Sequence, residues 1–563
     1  MRWTFKPVPN ENSVQHLATA LGIDETIARL LVQRGIESFA QAKAFFRPQL
    51  KDLHDPYLMK DMDIAVQRIQ TALSKNERIL VYGDYDVDGT TSVALMATYL
   101  ETKTEAIATY IPNRFTEGYG VSYAGIDYAA DNDFSLIIAL DCGVKALKKV
   151  AYAKEKGIDF IICDHHQPGD ALPQAVAVLD PKRSDCSYPF KELCGCGVGF
   201  KLIQALGQQF SESIDKLTPY LDLVATAIGA DIVPVVGENR ILAYYGLEVL
   251  NSKPRVGFQA LIQHIKKETL TLTDVVFVIA PRINAAGRMK HGNYAVSLLK
   301  EADATKAQLA SEAIETFNTI RRTLEQEITK AALLQIDQNQ EQEKATTVVY
   351  SPEWNKGVIG IVASRLIETY YRPTLVFTKS GDFLTASARS VRGFDVYTAL
   401  QNCSRYIEQF GGHKYAAGLT LKPDNYSAFK TAFDAEVVSS LPPQLKTPEI
   451  HIDFELDLSK ITPKFYRILS QFAPFGPENM APVFSTTAVY DSGYGKCVGQ
   501  DDKHLKISVN KNNTISLNSI GFGLGSKLAL VQNKMPFDIA YTIEENEWKG
   551  QVSLQLKLKD IKP

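Results

Sequence analysis

Residues 78–92 read RILVYGDYDVDGTTS. The apolar run from Ile79 to Tyr82 breaks at Gly83 into three closely spaced carboxylates, Asp84, Asp86 and Asp88, and Gly89 then opens a helical stretch. Three further apolar runs end the same way: SLIIALD (135–141), IDFIICD (158–164) and AVAVLD (175–180). Short buried runs alternating with helical stretches predict βαβ units around a parallel sheet. Ligands bind such sheets beyond the carboxyl ends of the strands, so acids far apart in the chain are expected to gather at one rim.

The chain has 563 residues, 45% of them hydrophobic and 22% charged. That is globular composition and excludes a wholly disordered protein. The length suits three or four domains of roughly 150 residues. No apolar window is long enough for a spanning helix. The start, MRWTFKPVPN, lacks the apolar core of a secretory signal, so a cytoplasmic protein is expected. Net charge is −3, so nucleic acid would have to be held in a local groove rather than by bulk positive charge. Seven cysteines are sparse, and reduced thiols are expected. Cys194-Gly195-Cys196 is too short for a zinc or redox pair and reads as buried small residues ahead of a helix.

Residues 1–60 read as a helical segment and 61–292 as the parallel-sheet domain. Residues 293–351 contain neither Gly nor Pro, and Phe317, Ile320, Leu324, Ile328 and Ala331 recur at helical spacing. A rigid helix over 293–344 is expected to join two lobes. TTVVY, PTLVFTK and FLTASARS, around the helical WNKGVIGIVASRLIETY, predict a second α/β domain over 345–445. PPQLKTP (442–448) is a linker signal, and the short alternating runs of 446–563 predict a small barrel or sandwich.

The three acids after Gly83 would repel one another if left alone. One of them, Asp88, has an alternative reading as a helix N-cap, but a divalent cation accounts for all three. Asp141 in DCG and Asp164-His165-His166 follow two further strands. Asp231, in GADIVP, reads as an acid within an apolar helix, which is costly unless paired or metal-bound. Oxygen ligands with one or two imidazoles suit Mn²⁺ or Mg²⁺ better than a thiol-rich zinc site. This many carboxylates suggests two ions, the arrangement that assists phosphoryl displacement.

GDYDVDGTTS, DCG, DHH and GADIVP, in this order, resemble the DHH phosphoesterase superfamily. PRINAAGRM (281–289), SARS (387–390), GGHKYAAG (411–418) and APFGPENMAPVF (473–484) extend the resemblance over nearly the whole chain, to the RecJ family of single-stranded-DNA-specific exonucleases. The implied fold is multidomain α/β. A parallel-sheet DHH catalytic domain is joined by the long helix to a smaller α/β DHHA1 domain, followed by a C-terminal OB-like β-barrel. The implied activity is 5′→3′ hydrolysis of single-stranded DNA to mononucleotides with two Mn²⁺ or Mg²⁺ ions, in DNA repair and recombination. The implied metal ligands are Asp84, Asp86, Asp88, Asp141, His165 and Asp231. Asp86 and Asp88 fit the superfamily pattern best, and Asp84 is a candidate for a supporting place. His166 would contact phosphate and Asp164 would hold a histidine tautomer. Tyr82 stands where many superfamily members have His, which implies one loosely bound ion or compensation by Asp84.

Arg282 and Arg288 flank a small-residue stretch read as a turn, and Arg suits bidentate phosphate contact. With Asn284 they are candidate substrate contacts, as are Ser387, Arg389 and Ser390 at a strand end. Gly411, Gly412 and His413 are read as a tight turn offering N–H groups to an anion. By resemblance, this second lobe grips the terminal nucleotide. Trp354 reads equally as a base-stacking residue or an internal plug. Tyr490, Tyr494, Phe522 and Trp548 are C-terminal aromatics among which stacking residues are sought. Single-stranded DNA is the expected partner of a monomeric enzyme without membrane attachment; a helicase and a single-strand-binding protein are further candidates. Two rival readings are a phosphoesterase for short oligonucleotides or small phosphorylated substrates, and a non-catalytic nucleic-acid scaffold.

Overall fold

The strand Arg78–Gly83 (β1) lies inside a sheet completed by Ile107–Tyr110 (β2), Phe134–Leu140 (β3), Asp159–Cys163 (β4) and Ala177–Leu179 (β5). All pairings are parallel and the order is β2-β1-β3-β4-β5. The chain moves from β1 outward to β2, then crosses back to β3. The strand order therefore reverses between β1 and β3, which opens a crevice at their carboxyl ends. Both faces are covered, which explains why the strands read as unbroken apolar runs. One face packs against Val87–Glu101 (α1), Gly195–Gln209 (α2) and Leu221–Ala230 (α3).

This description comes from a computed structural model, which covers residues 1–263, 265, 267–511, 515–548 and 550–563, with the backbone only at Trp548. The chain forms two units, Leu50–Thr447 and Met1–Gln49 with Pro448–Pro563. Among the described residues no helix is long and apolar enough to cross a membrane.

PRINAAGRM is not a turn. It forms the helix Ala280–Met289 (α4), entered through a single π-helical turn, Val275–Ile279. Pro281 sits in the first helical turn, where its missing N–H is harmless. The connecting helix runs over Ala304–Gln338 (α5), capped by Asp303, and Asn293–Lys300 is a separate helix before it. Its packed side also departs from the predicted stripe. Ile314 and Phe317 are buried toward one end and Ile328, Ala332 and Ile336 toward the other. Ile320 is exposed at 46%, and Ala331 faces solvent. The middle of the packed side is polar, with Asn318 and Glu325 buried and Arg321 bonded to both. A search for apolar spacing could not register that band.

The second sheet of this unit comprises Thr347–Tyr350 (β6), Thr374–Ser380 (β7), Phe383–Arg389 (β8), Gln409–His413 (β9) and Ala416–Leu421 (β10), in the order β9-β10-β8-β7-β6. The helix Ile359–Thr369 (α6) packs with α5 against it. Gly411-Gly412-His413 is thus an edge strand, paired with Gly418-Ala417-Ala416, rather than a tight turn. The reversal comes one step later, at Lys414-Tyr415. Trp354 packs against the cluster formed by α5, α6 and this sheet, which favours the plug reading.

The other unit is a barrel. Phe484–Asp491, Phe537–Trp548, Gln551–Lys562, Ile515–Gly521 and His504–Lys511 pair in that order, and the last returns to the first at Tyr490↔Asn510. Residues 1–49 belong to it. They were expected to be helical throughout, but Arg2–Phe5 is a strand parallel to Glu449–Ile452, and the Trp3 indole donates to Asp560. The helices after it share the barrel's apolar core.

Close approach fixes two glycines. A Cβ on Gly89 would stand 2.4 Å from the Asp84 carbonyl oxygen, and one on Gly195 would stand 2.5 Å from the Asp141 Cβ. Neither helix could start where it does with a larger residue. Gly195→Ala is expected to destabilise the protein by about 2–3 kcal/mol through forced displacement. Gly207→Ala, in the same helix but with 3.5 Å of clearance, should cost less than about 1 kcal/mol or stabilise. Urea unfolding of the two variants checks the contrast.

Candidate metal centre and phosphate cleft

The carboxyl ends of β1, β3 and β4 deliver Asp84 to Asp88, Asp141, and Asp164 to His166 to one rim. His165 lies at the middle. Its Nε2 stands 3.2 Å from Asp141 Oδ1, 3.5 Å from Asp231 Oδ2 and 3.7 Å from Asp88 Oδ2. That nitrogen is buried and has no hydrogen-bond partner. An imidazole nitrogen aimed at three carboxylates without bonding any of them is poised for a shared cation. Asp141, His165 and His166 form one set of potential ligand atoms, and Asp88, His165 and Asp231 another.

The electrostatics agree. Burial, with Asp88, Asp86 and Asp231 close by, pushes the Asp141 carboxyl well above the usual range. Burial and Asp86 push Asp88 up to about 7 and Asp84 up to about 8. Burial, reinforced by His166, holds His165 down at about 3, so its ring is neutral. Crowded acids and a neutral imidazole, in a pocket with little water, are the donor set of a hard divalent ion.

Three of the acids are also held from behind. Asp88 accepts from the Gly195 and Cys196 N–H groups at 2.6 and 2.7 Å, at the start of α2. That is the role of the small residues around Cys194, which caps α2 through its sulfur. The N-cap of α1 is Asp86, not Asp88: Asp86 Oδ1 accepts from Gly89 N–H at 3.0 Å. Asp84 accepts from the N–H of Tyr85 and of Gly120, at 2.6 and 2.7 Å. Asp84 and Asp86 lie outside both ligand sets, although the charge of Asp86 is felt by Asp84, Asp88 and Asp141. Asp231 is not within a helix. It caps the C-terminus of α3, where Ile232 turns the chain into the left-handed region at φ +59°, and its carboxylate sits at an open edge.

Asp164 bonds the ring of the second histidine; from the first it accepts only the backbone N–H. His166 Nδ1 lies 2.7 Å from Asp164 Oδ1, while Val144 N–H donates to the other oxygen. Burial opposes it, but the His166 bond keeps the Asp164 carboxyl at about 2 and lifts His166 to about 9. Without a metal, His166 therefore favours its charged form, with Asp164 at Nδ1. Its ring stacks at 6.3 Å, with planes 12° apart, on His413 of β9. Tyr82 turns away from the rim. Its Oη donates to the Gly120 carbonyl and accepts from Ser122 N–H, so it anchors the loop whose next bond holds Asp84.

Opposite the acids stands a cluster of arginines. Burial and three like charges, Arg114, Arg389 and Arg321, lower the Arg288 pKa to about 9. Arg288 donates to the Gly357 carbonyl, and among the described residues no carboxylate pairs with it. Arg389, also lowered by burial, donates to Ser387 Oγ at 3.0 Å. A set of dry guanidiniums without acids is suited to phosphate. Arg282 lies apart, paired with Glu315 of α5 at 2.7 Å. Ser390 is occupied by the Phe394 carbonyl. Asn284 Oδ1 is buried without a donor.

Three residues here went unread in the sequence. Arg114 packs over the Tyr85 ring at 3.8 Å, Tyr119 stands edge-on to Tyr85 and His166, and the charge of Lys182 is felt by His165, Asp231 and His413. Arg114 and Tyr119 follow β2, which reaches the same rim, so only the sheet order could have pointed to them.

Residues 78–228 match the DHH family, N-terminal domain; 343–439 match the DHHA1 domain and 452–560 the RecJ OB domain. The single-stranded-DNA-specific exonuclease RecJ of Bacillus subtilis is 35% identical over 570 residues, covering 100% of this chain and 70% of the relative. The chain belongs to the RecJ family. The crystal structure of RecJ from Thermus thermophilus in complex with Mn²⁺ is 26% identical, with a TM-score of 0.86 over 100% of this chain and 79% of that one. The Mg²⁺ complex of the same protein gives a TM-score of 0.80 at 25% identity, over 100% and 78%. The RecJ architecture of DHH, DHHA1 and OB domains, with a long helix after the first, is therefore that of this chain.

The raised carboxyls carry a pH signature. Unfolded, Asp84 and Asp88 ionise near pH 4; folded and metal-free, near 8 and 7. Their ionisation works against the fold, so metal-free stability should fall as pH rises from about 4 to 8. Manganese should restore it, with an increment that grows over the same interval. Melting temperatures with chelator and with manganese at either end of that range test this; a chelated protein equally stable at both ends contradicts it.

Proposed function

We propose that this chain hydrolyses single-stranded DNA from the 5′ end to 5′-mononucleotides, in DNA repair and recombination. The observation carrying this is the convergence of Asp88, Asp141 and Asp231 on the His165 Nε2, with Arg114, whose charge reaches Asp84, gathered with Arg288 and Arg389 in the same unit. The RecJ family membership and the names of its relatives support single-stranded DNA as substrate and exonucleolytic cleavage. The cytoplasm is the expected compartment, and a helicase and a single-strand-binding protein are expected partners.

The residues fit two divalent ions. Asp86, Asp88, Asp141, His165 and Asp231 would hold them, with Asp84 supporting through its bonds to Tyr85 and Gly120. When bound, such a pair lowers the pKa of water and neutralises charge at the reacting phosphate.

The rest is done by side chains. Arg288, Arg389 and Arg114 would take the terminal phosphate, with Ser387 orienting Arg389. His166, charged and fixed by Asp164, would donate from Nε2 to a phosphate oxygen as negative charge develops there. Asn284 would accept from the bound nucleotide, and His413 would close on His166 from β9. Gly411 and Gly412 keep that edge strand slim, with Gly412 at φ +144°. Arg282 holds α4 to α5.

Digestion of 5′- and 3′-labelled single strands with manganese, with and without chelator, tests the reading. The 5′ label is expected to leave first as a mononucleotide, only with metal, and not in Asp141→Ala. Arg389→Ala should weaken kcat/KM roughly tenfold or more by removing a charge-assisted phosphate contact. Faster cleavage of a dinucleotide than of a long strand would favour the short-substrate phosphoesterase instead.

A further inference from the structure

One helix leads away from the arginines. Arg288, Asn284 and Pro281 are spaced four and three apart, the repeat of one side of α4, and Phe277 comes just before them on the turn that leads into that helix. At the inner end, Arg288 is a half-buried cation that no carboxylate pairs with among the described residues. One step outward, Asn284 Oδ1 is buried and lacks a donor. At the outer end, Phe277 is 73% exposed. It lies on the π-helical turn Val275–Ile279, whose flanking Val275 and Ile279 are buried. Single π-turns are uncommon and tend to mark sites of use. A lone exposed phenylalanine would need no explanation. This one ends a row of three groups, each missing its complement: an anion, a donor and a flat apolar face. A strand of nucleotides offers all three, as phosphate, base N–H and base ring.

We propose that Phe277 stacks on a base of the bound single strand, beyond the nucleotide whose phosphate the arginines hold, and so sets the preference for strands over dinucleotides. This rests on the exonuclease reading. Eleven residues of helix separate Phe277 from Arg288, a reach of roughly 16 Å. A dinucleotide anchored at Arg288 ends before that distance, whereas a longer strand arrives there with its bases unpaired. Base–aromatic stacking is worth about 1–3 kcal/mol per base and tolerates any sequence.

The test compares Phe277→Ala and Phe277→Tyr in the full chain with manganese. Substrates are a 5′-phosphorylated strand of about a dozen nucleotides and a 5′-phosphorylated dinucleotide. Phe277→Ala should raise KM for the strand about tenfold with kcat little changed, lowering the strand-to-dinucleotide ratio of kcat/KM by the same factor. Phe277→Tyr should restore it. A strand carrying 2-aminopurine at the third base, bound in chelator so that nothing is cut, should lose its stacking quench in Phe277→Ala and keep it in Phe277→Tyr. An exposed side chain leaves the melting temperature unchanged. Equal losses on both substrates, or an unaltered quench, overturn the proposal. If the unmodified enzyme cleaves the dinucleotide but not the strand, the exonuclease reading falls and this one with it.

Discussion

Negative charge packed into a dry crevice is the constraint around which this protein is built. Asp141, Asp88 and Asp84 are all raised by burial and by neighbouring carboxylates, Asp86 in each case, and among the described residues none of them relieves this by an ion pair with a lysine or arginine. The fold instead supplies partial charges. Backbone N–H groups at the start of α2 face Asp88, those of Tyr85 and Gly120 face Asp84, and that of Gly89 faces Asp86. These dipoles hold each acid in place without cancelling it, and the remaining charge is available to a cation.

The opposite problem is solved across the cleft. Arg288, Arg114 and Arg389 repel one another in a dry setting, and the acids that could quiet them are engaged elsewhere: Glu325 with Arg321 and Arg365, Glu315 with Arg282. The polar middle of α5 thus keeps its carboxylates paired on the helix rather than with these three guanidiniums. Acids in excess on one wall and guanidiniums on the other suit a substrate that must meet both a metal and a phosphate clamp.

Much of this was legible in the sequence because the sheet is buried on both faces. That makes its strands continuous apolar runs, so their ends, and hence Asp141, Asp164 and His165, could be read directly. Misreadings arose where tertiary context outweighed local signal. GGH looked like a turn because glycine is permissive, yet β10 pairs with it as an edge strand. INAAG looked like a turn, but Gly287 serves the approach of the Tyr85 carbonyl, where a Cβ would stand 2.7 Å away. Asp231 looked helical because α3 runs up to it. Arg114 was invisible because nothing local distinguishes a loop arginine from any other. Trp548, one of the aromatics considered for stacking, has its side chain outside the described residues.

The shared core of residues 1–49 and 448–563 has a bearing on biosynthesis. The helices of the earlier segment leave the ribosome well before the barrel, with Leu17, Ile27, Leu30 and Leu31 needing cover that only the barrel provides. The barrel strands follow after the whole catalytic unit. Until then the leading segment has no lasting place to dock, and its greasy side is a ready target for a holding chaperone or for a neighbouring nascent chain.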